Sequence, residues 1–336
     1  MTELLEVRNL TVRFPVRRRG LGLGAKRYLT AVDDVSFIVK KGETLAIVGE
    51  SGSGKTTAAL AIARLVSGET GGTVALEGRD ILPLSNEDLK EMRRKVQVIF
   101  QDPYSSLNPR QRAGDIVREP LDSLTTKTAA EKQEIVERLF KAVGLRPETA
   151  RLFPHQFSGG QRQRIGIARA LSTRPEVIIC DEPVSALDVA VQAQILNLLR
   201  RLQKEFGLTY LFISHDLGVV QHMCDSVAVM YMGKVVEHAD RISLFSAPQH
   251  PYTEALLSAV PSVDPEVRKR SHPILLPGDP PDPLNLPVGC RFASRCPLVE
   301  DVCHHIDPAL LPVKEGHRVA CHVRNRATET PATTPA

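Results

Sequence analysis

Residues 44–48, Thr-Leu-Ala-Ile-Val, run without interruption into Gly49-Glu50-Ser51-Gly52-Ser53-Gly54-Lys55-Thr56-Thr57. A short apolar run of strand length suits a strand buried on both faces, as in a parallel sheet. The spacing Gly49-x4-Gly54-Lys55-Thr56 then asks for a backbone wrapped around phosphate. Glycines permit the curvature, while amide N–H groups and the positive end of the following helix meet the negative charge. Lys55 reaches the terminal phosphates, and the Thr56 hydroxyl is placed for Mg²⁺. Gly49, Ser51, Gly52, Gly54, Lys55, Thr56 and Thr57 are therefore candidate phosphate-site residues. A strand before the loop and a helix over about residues 56–65 are the context that separates such a cradle from an ordinary glycine turn.

The rest of the chain alternates strands and helices. Leu5, Val7, Leu10 and Val12, and then Val35, Phe37 and Val39, follow strand periodicity and predict an antiparallel pair. Residues 96–100, 177–180 and 210–213 read as further strands. Ile135, Val136, Leu139, Phe140 and Val143 recur at helix spacing, with Gly144 as the stop. Ile195, Leu198, Leu199, Leu202 and Phe206 form one face of another helix closed by Gly207. Strand–helix–strand order implies a parallel sheet. Proline becomes dense between residues 248 and 312, which predicts a separate loop-rich module. The Thr/Pro/Ala-rich end from 324 to 336 is expected to be disordered.

Two more segments carry chemistry. Val177-Ile178-Ile179-Cys180-Asp181-Glu182 is a strand ending in two acids. Asp181 is suited to hold Mg²⁺ through water, and Glu182 to polarise an attacking water as a general base. Cys180 reads as a small core residue. Ser158-Gly159-Gly160-Gln161 opens a helix with Ser158 as its N-cap, and its bare amides make a second anion site.

Taken in order, these segments resemble the ATP-binding cassette (ABC) family. The resemblance implies an α/β fold: a P-loop NTPase (RecA-like) core with an antiparallel β subdomain, a helical signature subdomain and a small loop-rich C-terminal extension. It places the nucleotide-binding domain at 1–245, its helical part at about 102–172, the extension at 246–323 and the tail at 324–336. It implies that Ser158, Gly159, Gly160 and Gln161 complete the ATP site of a facing subunit. Gln101 matches the Q-loop that links Mg²⁺ and the attacking water to the transporter contact. Ser185-Ala186-Leu187-Asp188 matches the D-loop, and His215 the switch histidine that touches the γ-phosphate. Phe14 stands where an aromatic stacks on adenine, with Tyr28 as its rival. The implied catalytic set is Lys55, Gln101, Glu182 and His215, with ATP and Mg²⁺ as substrate and cofactor and Thr56, Gln101 and Asp181 around the Mg²⁺.

Gln101-Asp102-Pro103-Tyr104-Ser105-Ser106-Leu107-Asn108-Pro109-Arg110, His250-Pro251-Tyr252-Thr253-Glu254-Ala255-Leu256-Leu257 and Gly289-Cys290-Arg291-Phe292-Ala293-Ser294-Arg295-Cys296-Pro297 resemble the oligopeptide/dipeptide (and nickel) permease branch. The expected partners are then a second ATPase subunit, a paralogue or another copy, two transmembrane permease subunits and an extracytoplasmic solute-binding protein. The expected position is peripheral, on the cytoplasmic face of the membrane.

Four of the six cysteines, Cys290, Cys296, Cys303 and Cys321, lie close together in the sequence with the spacing C-x5-C-x6-C-x17-C. Four thiols in a core-poor module suggest a metal staple. Some members of this branch carry a four-iron four-sulfur cluster on similar cysteines, so a cluster is the expectation. Zinc, with His304, His305, His317 and His322 as substitute ligands, is one alternative, and free or disulfide-bonded thiols are the other.

Bulk properties exclude other classes. No stretch approaches the ~20 apolar residues of a spanning helix, and acids at Glu3 and Glu6 do not suit a signal peptide. A cytosolic chain with few cysteines is not a disulfide framework. The net charge of +4 makes no case for nucleic acid. The one dense basic run, Arg17-Arg18-Arg19, beside Gly20 to Gly24, reads as a solvated loop, with lipid headgroups as a minor alternative. Rival functions are a soluble ABC ATPase of ribosomes or DNA, against which stand the single phosphate loop and the lack of heptads, and a nickel rather than peptide importer.

Overall fold

The computed structural model describes residues 2–16, 27–102, 104–260 and 273–329. The basic run at 17–19 and its glycine-rich neighbour fall outside these residues, as does Pro103.

Strands β1 (Glu3–Val16) and β2 (Arg27–Lys40) pair antiparallel, as expected, and β3 (Thr44–Val48) leads into the glycine loop and α1 (Lys55–Ile62). There follow β4 (Glu69–Leu76), β5 (Arg79–Asp80), α2 (Asn86–Lys95), β6 (Val96–Ile99), α3 (Ala113–Leu124), α4 (Ala129–Ala142) and α5 (Gly159–Leu171). The chain continues through β7 (Val177–Asp181), α6 (Val189–Phe206), β8 (Thr209–Ser214), α7 (Leu217–Met223), β9 (Ser226–Tyr231) and β10 (Lys234–Asp240). Last come α8 (Arg241–Ser246), α9 (Pro251–Ser258), helix Asp301–His305, β11 (Leu311–Lys314), β12 (His317–Val319) and helix His322–Glu329.

Two sheets result. One is antiparallel, in the order β2-β1-β4-β5, and the other is mixed, in the order β11-β12-β10-β9-β3-β8-β7-β6. In the larger sheet β9, β3, β8, β7 and β6 are parallel, with β3 between β8 and β9. Alternate side chains of the parallel strands feed different cores. Leu45, Ile47, Ile179, Leu211, Ile213 and Met230 pack with α1 and the antiparallel sheet. Ala46, Val48, Ile178, Tyr210, Phe212 and Val229 pack with the helical layer. The molecule is thus sheet, sheet and helices in three layers.

Local chemistry sets the element ends. Thr128 closes a capping box with Glu131 at the start of α4, and Gly144 takes a left-handed φ of 76° beyond its end. Asp188 accepts the Val191 N–H at 2.9 Å to cap α6, which Gly207 ends at φ 66°. Helix α1 is shorter than the expected 56–65. Arg64 turns into the left-handed region at φ 56°, and its guanidinium donates to the carbonyls of Ile81, Leu82 and Leu84.

The C-terminal module is loop-rich but continuous with the core. Its β12 pairs with β10 at Glu237↔Val319 and His238↔Arg318. Helix His322–Glu329 enters the tail expected to be disordered. It is held there by Arg324, which donates to Gln249 O at 3.1 Å and to Glu254 at 2.6 Å; residues 330–336 lie outside the described residues. Glu237 and His317 are fully buried and 2.6 Å apart. The backbone N–H groups of Gln249 and His250 also donate to Glu237, at 2.7 and 2.8 Å.

Beside this cluster His250 accepts the Tyr252 N–H on Nδ1 at 3.1 Å. Burial holds its pKa down to about 4, against the opposing pull of Glu237. Burial, with Arg318 and His317 adding to it, also brings His238 to about 4. From the ordinary histidine value of 6.5 down to about 4, the unfolded chain therefore binds protons at both positions that the folded chain refuses. Stability must fall as pH drops through that window. Calorimetry should show Tm decreasing from pH 6.5 to 4, with a shallower decrease in His250→Gln; a flat native profile would contradict this assignment.

Candidate active site

The parallel strands end on one side of the sheet, and the loops that follow them meet there. The glycine loop leaves β3, Gln101 follows β6, Asp181 and Glu182 end β7, and His215 follows β8. They surround a cavity of about 740 Å³ lined by Ser51, Gly52, Gly54, Lys55, Thr56, Thr57, Gln101, Glu182 and His215. Phe14, Leu29, Thr30, Ala31, Met232, Gly233, Pro283 and Leu286 complete the wall.

The loop is shaped by close backbone contacts. A Cβ on Gly49 (φ 152°) would lie 2.1 Å from the Met230 carbonyl oxygen, and one on Gly54 (φ 100°) 2.3 Å from the Ala31 oxygen. Ser53 O accepts the Gly233 N–H at 2.9 Å. The C-terminal extension braces the outside of the loop. The Glu50 N–H donates to the Tyr252 hydroxyl at 2.8 Å, and the Glu50 carboxylate lies 2.9 Å from Arg295 Nη1. Lys55 is buried, and burial lowers its pKa although Glu182, Asp181 and Glu50 oppose this. Its Nζ donates to the carbonyls of Gly49 and Glu50, each at 2.8 Å. These are carbonyls of the loop itself, so phosphate oxygens can take their place.

Asp181 and Thr56 fit the group that such a site needs. The Thr56 hydroxyl donates to Asp181 Oδ1 at 2.9 Å. Burial raises the Asp181 pKa and Glu182 adds to it, while the Thr56 hydrogen bond and Lys55 oppose. The Thr56 hydroxyl and the Asp181 carboxylate, with the amide oxygen of Gln101 from the same cavity wall as Thr56, would offer oxygen donors of the kind Mg²⁺ takes.

Glu182 is the convergence point. Its backbone sits in the left-handed region at φ 45°, with its N–H donating to Ile213 O at 3.0 Å. Such a conformation in a non-glycine residue is costly unless the surroundings hold it. Its Oε2 accepts from Gln101 Nε2 at 2.8 Å, and its Oε1 lies 3.0 Å from His215 Nδ1. One carboxylate therefore joins residues from three strand ends.

Residues 32–185 match the ABC transporter family model, and residues 236–303 match the oligopeptide/dipeptide transporter C-terminal region. The chain is 50% identical over 321 residues to the probable peptide ABC transporter ATP-binding protein y4tS of Sinorhizobium fredii, covering 96% of this chain and 90% of that protein. This chain belongs to the ABC transporter ATP-binding proteins. The oligopeptide transport ATP-binding protein AppF of Bacillus subtilis is likewise 50% identical over 321 residues, covering 95% of this chain and 97% of that protein. Among solved structures, a dimeric post-hydrolysis state of the ATP-binding cassette MJ0796 bound to ADP and Pi superposes with a TM-score of 0.61. It is 29% identical and covers 71% of this chain and 99% of that one. The cbiO1 protein of Clostridium perfringens gives 0.61 at 26% identity, covering 74% and 92%. The chain is accordingly an ABC-type ATPase subunit.

In this ABC ATPase, Ser158, Gly159, Gly160, Gln161 and Asp188 do not line the cavity. Ser158 and Gln161 form a capping box at the start of α5. Gly160 has a packing role that its sequence context hides: a Cβ there would lie 2.5 Å from Val191 Cγ1 of α6. The two helix starts are thereby locked together. Phe14 lines the cavity, with its ring edge over the bare Gly68, where a Cβ would come within 3.0 Å of Cε1. Tyr28 does not line it; its hydroxyl donates to Glu69 at 3.2 Å. Segment 101–110 is fastened to α5, with the Arg162 guanidinium 4.0 Å from the Tyr104 ring centroid and Arg169 donating to Ser106 O at 2.7 Å.

The expected metal cluster on Cys290, Cys296, Cys303 and Cys321 gains no support from the structure. Among the described residues no three His, Cys, Asp or Glu side chains converge as metal ligands. All four thiols are free: Cys303 and Cys321 are buried, and Cys290 and Cys296 pack against the helical-side core. Burial pushes the Cys290 pKa up to about 11, with the thiols of Cys303, Cys296 and Cys321 adding to it, and burial likewise raises that of Cys296. Backbone hydrogen bonds join the same segments, among them Cys290 N–H to Cys303 O at 2.8 Å.

Gly49→Ala tests the loop. The added methyl has no space, so MgATP affinity measured by calorimetry should fall by at least about tenfold, whereas Gly71→Ala, with nothing within 4 Å, should leave it unchanged.

Proposed function

We propose that this chain is the ATP-hydrolysing subunit of a membrane importer for peptides or similar small solutes, working at the cytoplasmic face as half of a head-to-tail pair. The observation that carries this reading is the contact of Gln101 and His215 with the single carboxylate of Glu182, beside Lys55, Thr56 and Asp181. In this reading Lys55 and the loop amides hold the phosphates. Glu182 accepts a proton from the attacking water, which Gln101 helps to place, and His215 meets the γ-phosphate. Thr56, Asp181 and Gln101 would hold the Mg²⁺ that comes with the nucleotide, which would supply positive charge to balance that developing on the phosphates.

Ser158 to Gln161 serve the nucleotide of the facing subunit, which accords with their place outside the cavity. The dimeric state of the related MJ0796 cassette supports such a pair. Peptide as the cargo class rests on the relatives' names and on the matching C-terminal region. The facing ATPase is a paralogue or a second copy. Two transmembrane permease subunits contact the region around 101–110, and an extracytoplasmic solute-binding protein delivers the solute. Iron–sulfur or zinc at the four cysteines gains no support from their arrangement.

Glu182→Gln should lower kcat by about 10²–10⁴-fold, the usual worth of a general base, while leaving ATP affinity and ATP-dependent pairing intact. Wild-type turnover in that variant would refute the role. Ser158→Arg should leave ATP binding to the isolated chain unchanged and abolish turnover of the pair; lost binding in the isolated chain would place the signature in the wrong site.

A further inference from the structure

The cavity lining is of two chemical kinds. The phosphate loop, Glu182 and His215 are polar; Phe14, Leu29, Pro283 and Leu286 are apolar, and Arg27, on the same strand as Leu29, bonds Asn285 between the last two. Pro283 and Leu286 come from the C-terminal extension, some 230 residues beyond the phosphate loop in sequence, and they approach from a different part of the chain than Phe14 and its strand partner Leu29. A nucleoside triphosphate has the same two kinds of surface: charge at one end and a flat apolar face at the other.

We infer that Pro283 and Leu286 are nucleotide-binding residues, forming an apolar wall for the base of the ATP whose phosphates this chain holds. The inference rests on the nucleotide reading of the cavity and adds the extension to that site.

The segment is built to hold its place. Asp282 carries a tight turn, accepting the Leu284 N–H at 2.9 Å and the Asn285 side-chain amide at 2.6 Å on its carboxylate. Its carbonyl accepts the Asn285 N–H at 2.9 Å. Proline at the second turn position presets φ. Arg27 of β2 fastens the turn from the cassette side, its Nη2 donating to Asn285 Oδ1 at 2.7 Å and lying 3.4 Å from Leu284 O. Leu286 is half-buried without nucleotide and Pro283 is exposed, so both have apolar surface left to cover. Covering it on a base is favourable in proportion to its area, and a preformed wall avoids the cost of ordering a loop.

The test compares MgATP with Mg-tripolyphosphate, which presents the charged end alone, by calorimetry on the full chain. Leu286→Asp should weaken MgATP about tenfold or more and leave tripolyphosphate within about twofold. Arg27→Ala, which loosens the turn but keeps the wall residues, should weaken ATP in the same direction by less. Equal affinities for ATP in native protein and Leu286→Asp would overturn the inference, and so would equal losses for both ligands. Failure of the native chain to bind either ligand, with no difference from Lys55→Ala, would instead sink the nucleotide reading itself and this inference with it.

Discussion

No side chain fits where Gly49 leaves β3, because the carbonyl of Met230 on the neighbouring strand occupies that space. The rest of the site depends on this approach. It lets the loop turn over the strand ends and back into α1 with its amides facing inward, and it brings Lys55 under the loop. The loop is then wedged on every side. The Ala31 carbonyl closes on Gly54, the Gly233 amide holds Ser53, and Tyr252 with Arg295 holds Glu50. A loop fixed by its own backbone can offer donors to phosphate without first paying for their order, which is how preorganisation contributes to binding and rate.

The catalytic side has the opposite character. Glu182 is held in an uncommon backbone conformation, yet its carboxylate is joined only to side chains of residues beyond the strand ends, Gln101 and the largely exposed His215. The anchor is rigid and the partners are adjustable. Through Ser185, whose N–H donates to Glu182 O at 3.2 Å, the same residue begins the turn leading to Asp188 and α6. A change at the carboxylate thus has a short path to the surface on which a facing subunit would sit.

Much of this was legible in the sequence because the relevant signals are local. The run 44–48 is the strand that forms, Gly144 and Gly207 do stop their helices, and the buried face Ile195, Leu198, Leu199 and Leu202 is the one that periodicity marks. What sequence could not supply was adjacency. Leu29, Ala31, Gly233, Pro283 and Leu286 reach the cavity only through pairings across the fold, and none belongs to a spacing pattern. Residues 317–319 are too short for alternation to reveal a strand. The cysteines are a different case: four thiols in a core-poor module suggested a ligand set, and among the described residues no such set is found, with Cys290 and Cys296 packed against the helical-side core. Gly160 was visible as part of a motif, while its second duty, leaving room for Val191, needed the neighbouring helix.

The place of β12 on the sheet has a further consequence. Beyond β10 the backbone of the larger sheet would end in an open row of amides and carbonyls, the kind of border that recruits strands from other molecules. The pairing at Glu237 and His238 covers that border with a three-residue strand, itself followed only by the four residues of β11, one of which is Pro312. Short edge strands and proline are what natural sheets use to remain solitary. The extension therefore guards the cassette against strand-to-strand pairing at this edge, and a chain ending near residue 245 would expose a sticky edge together with a buried acid, Glu237, stripped of its histidine.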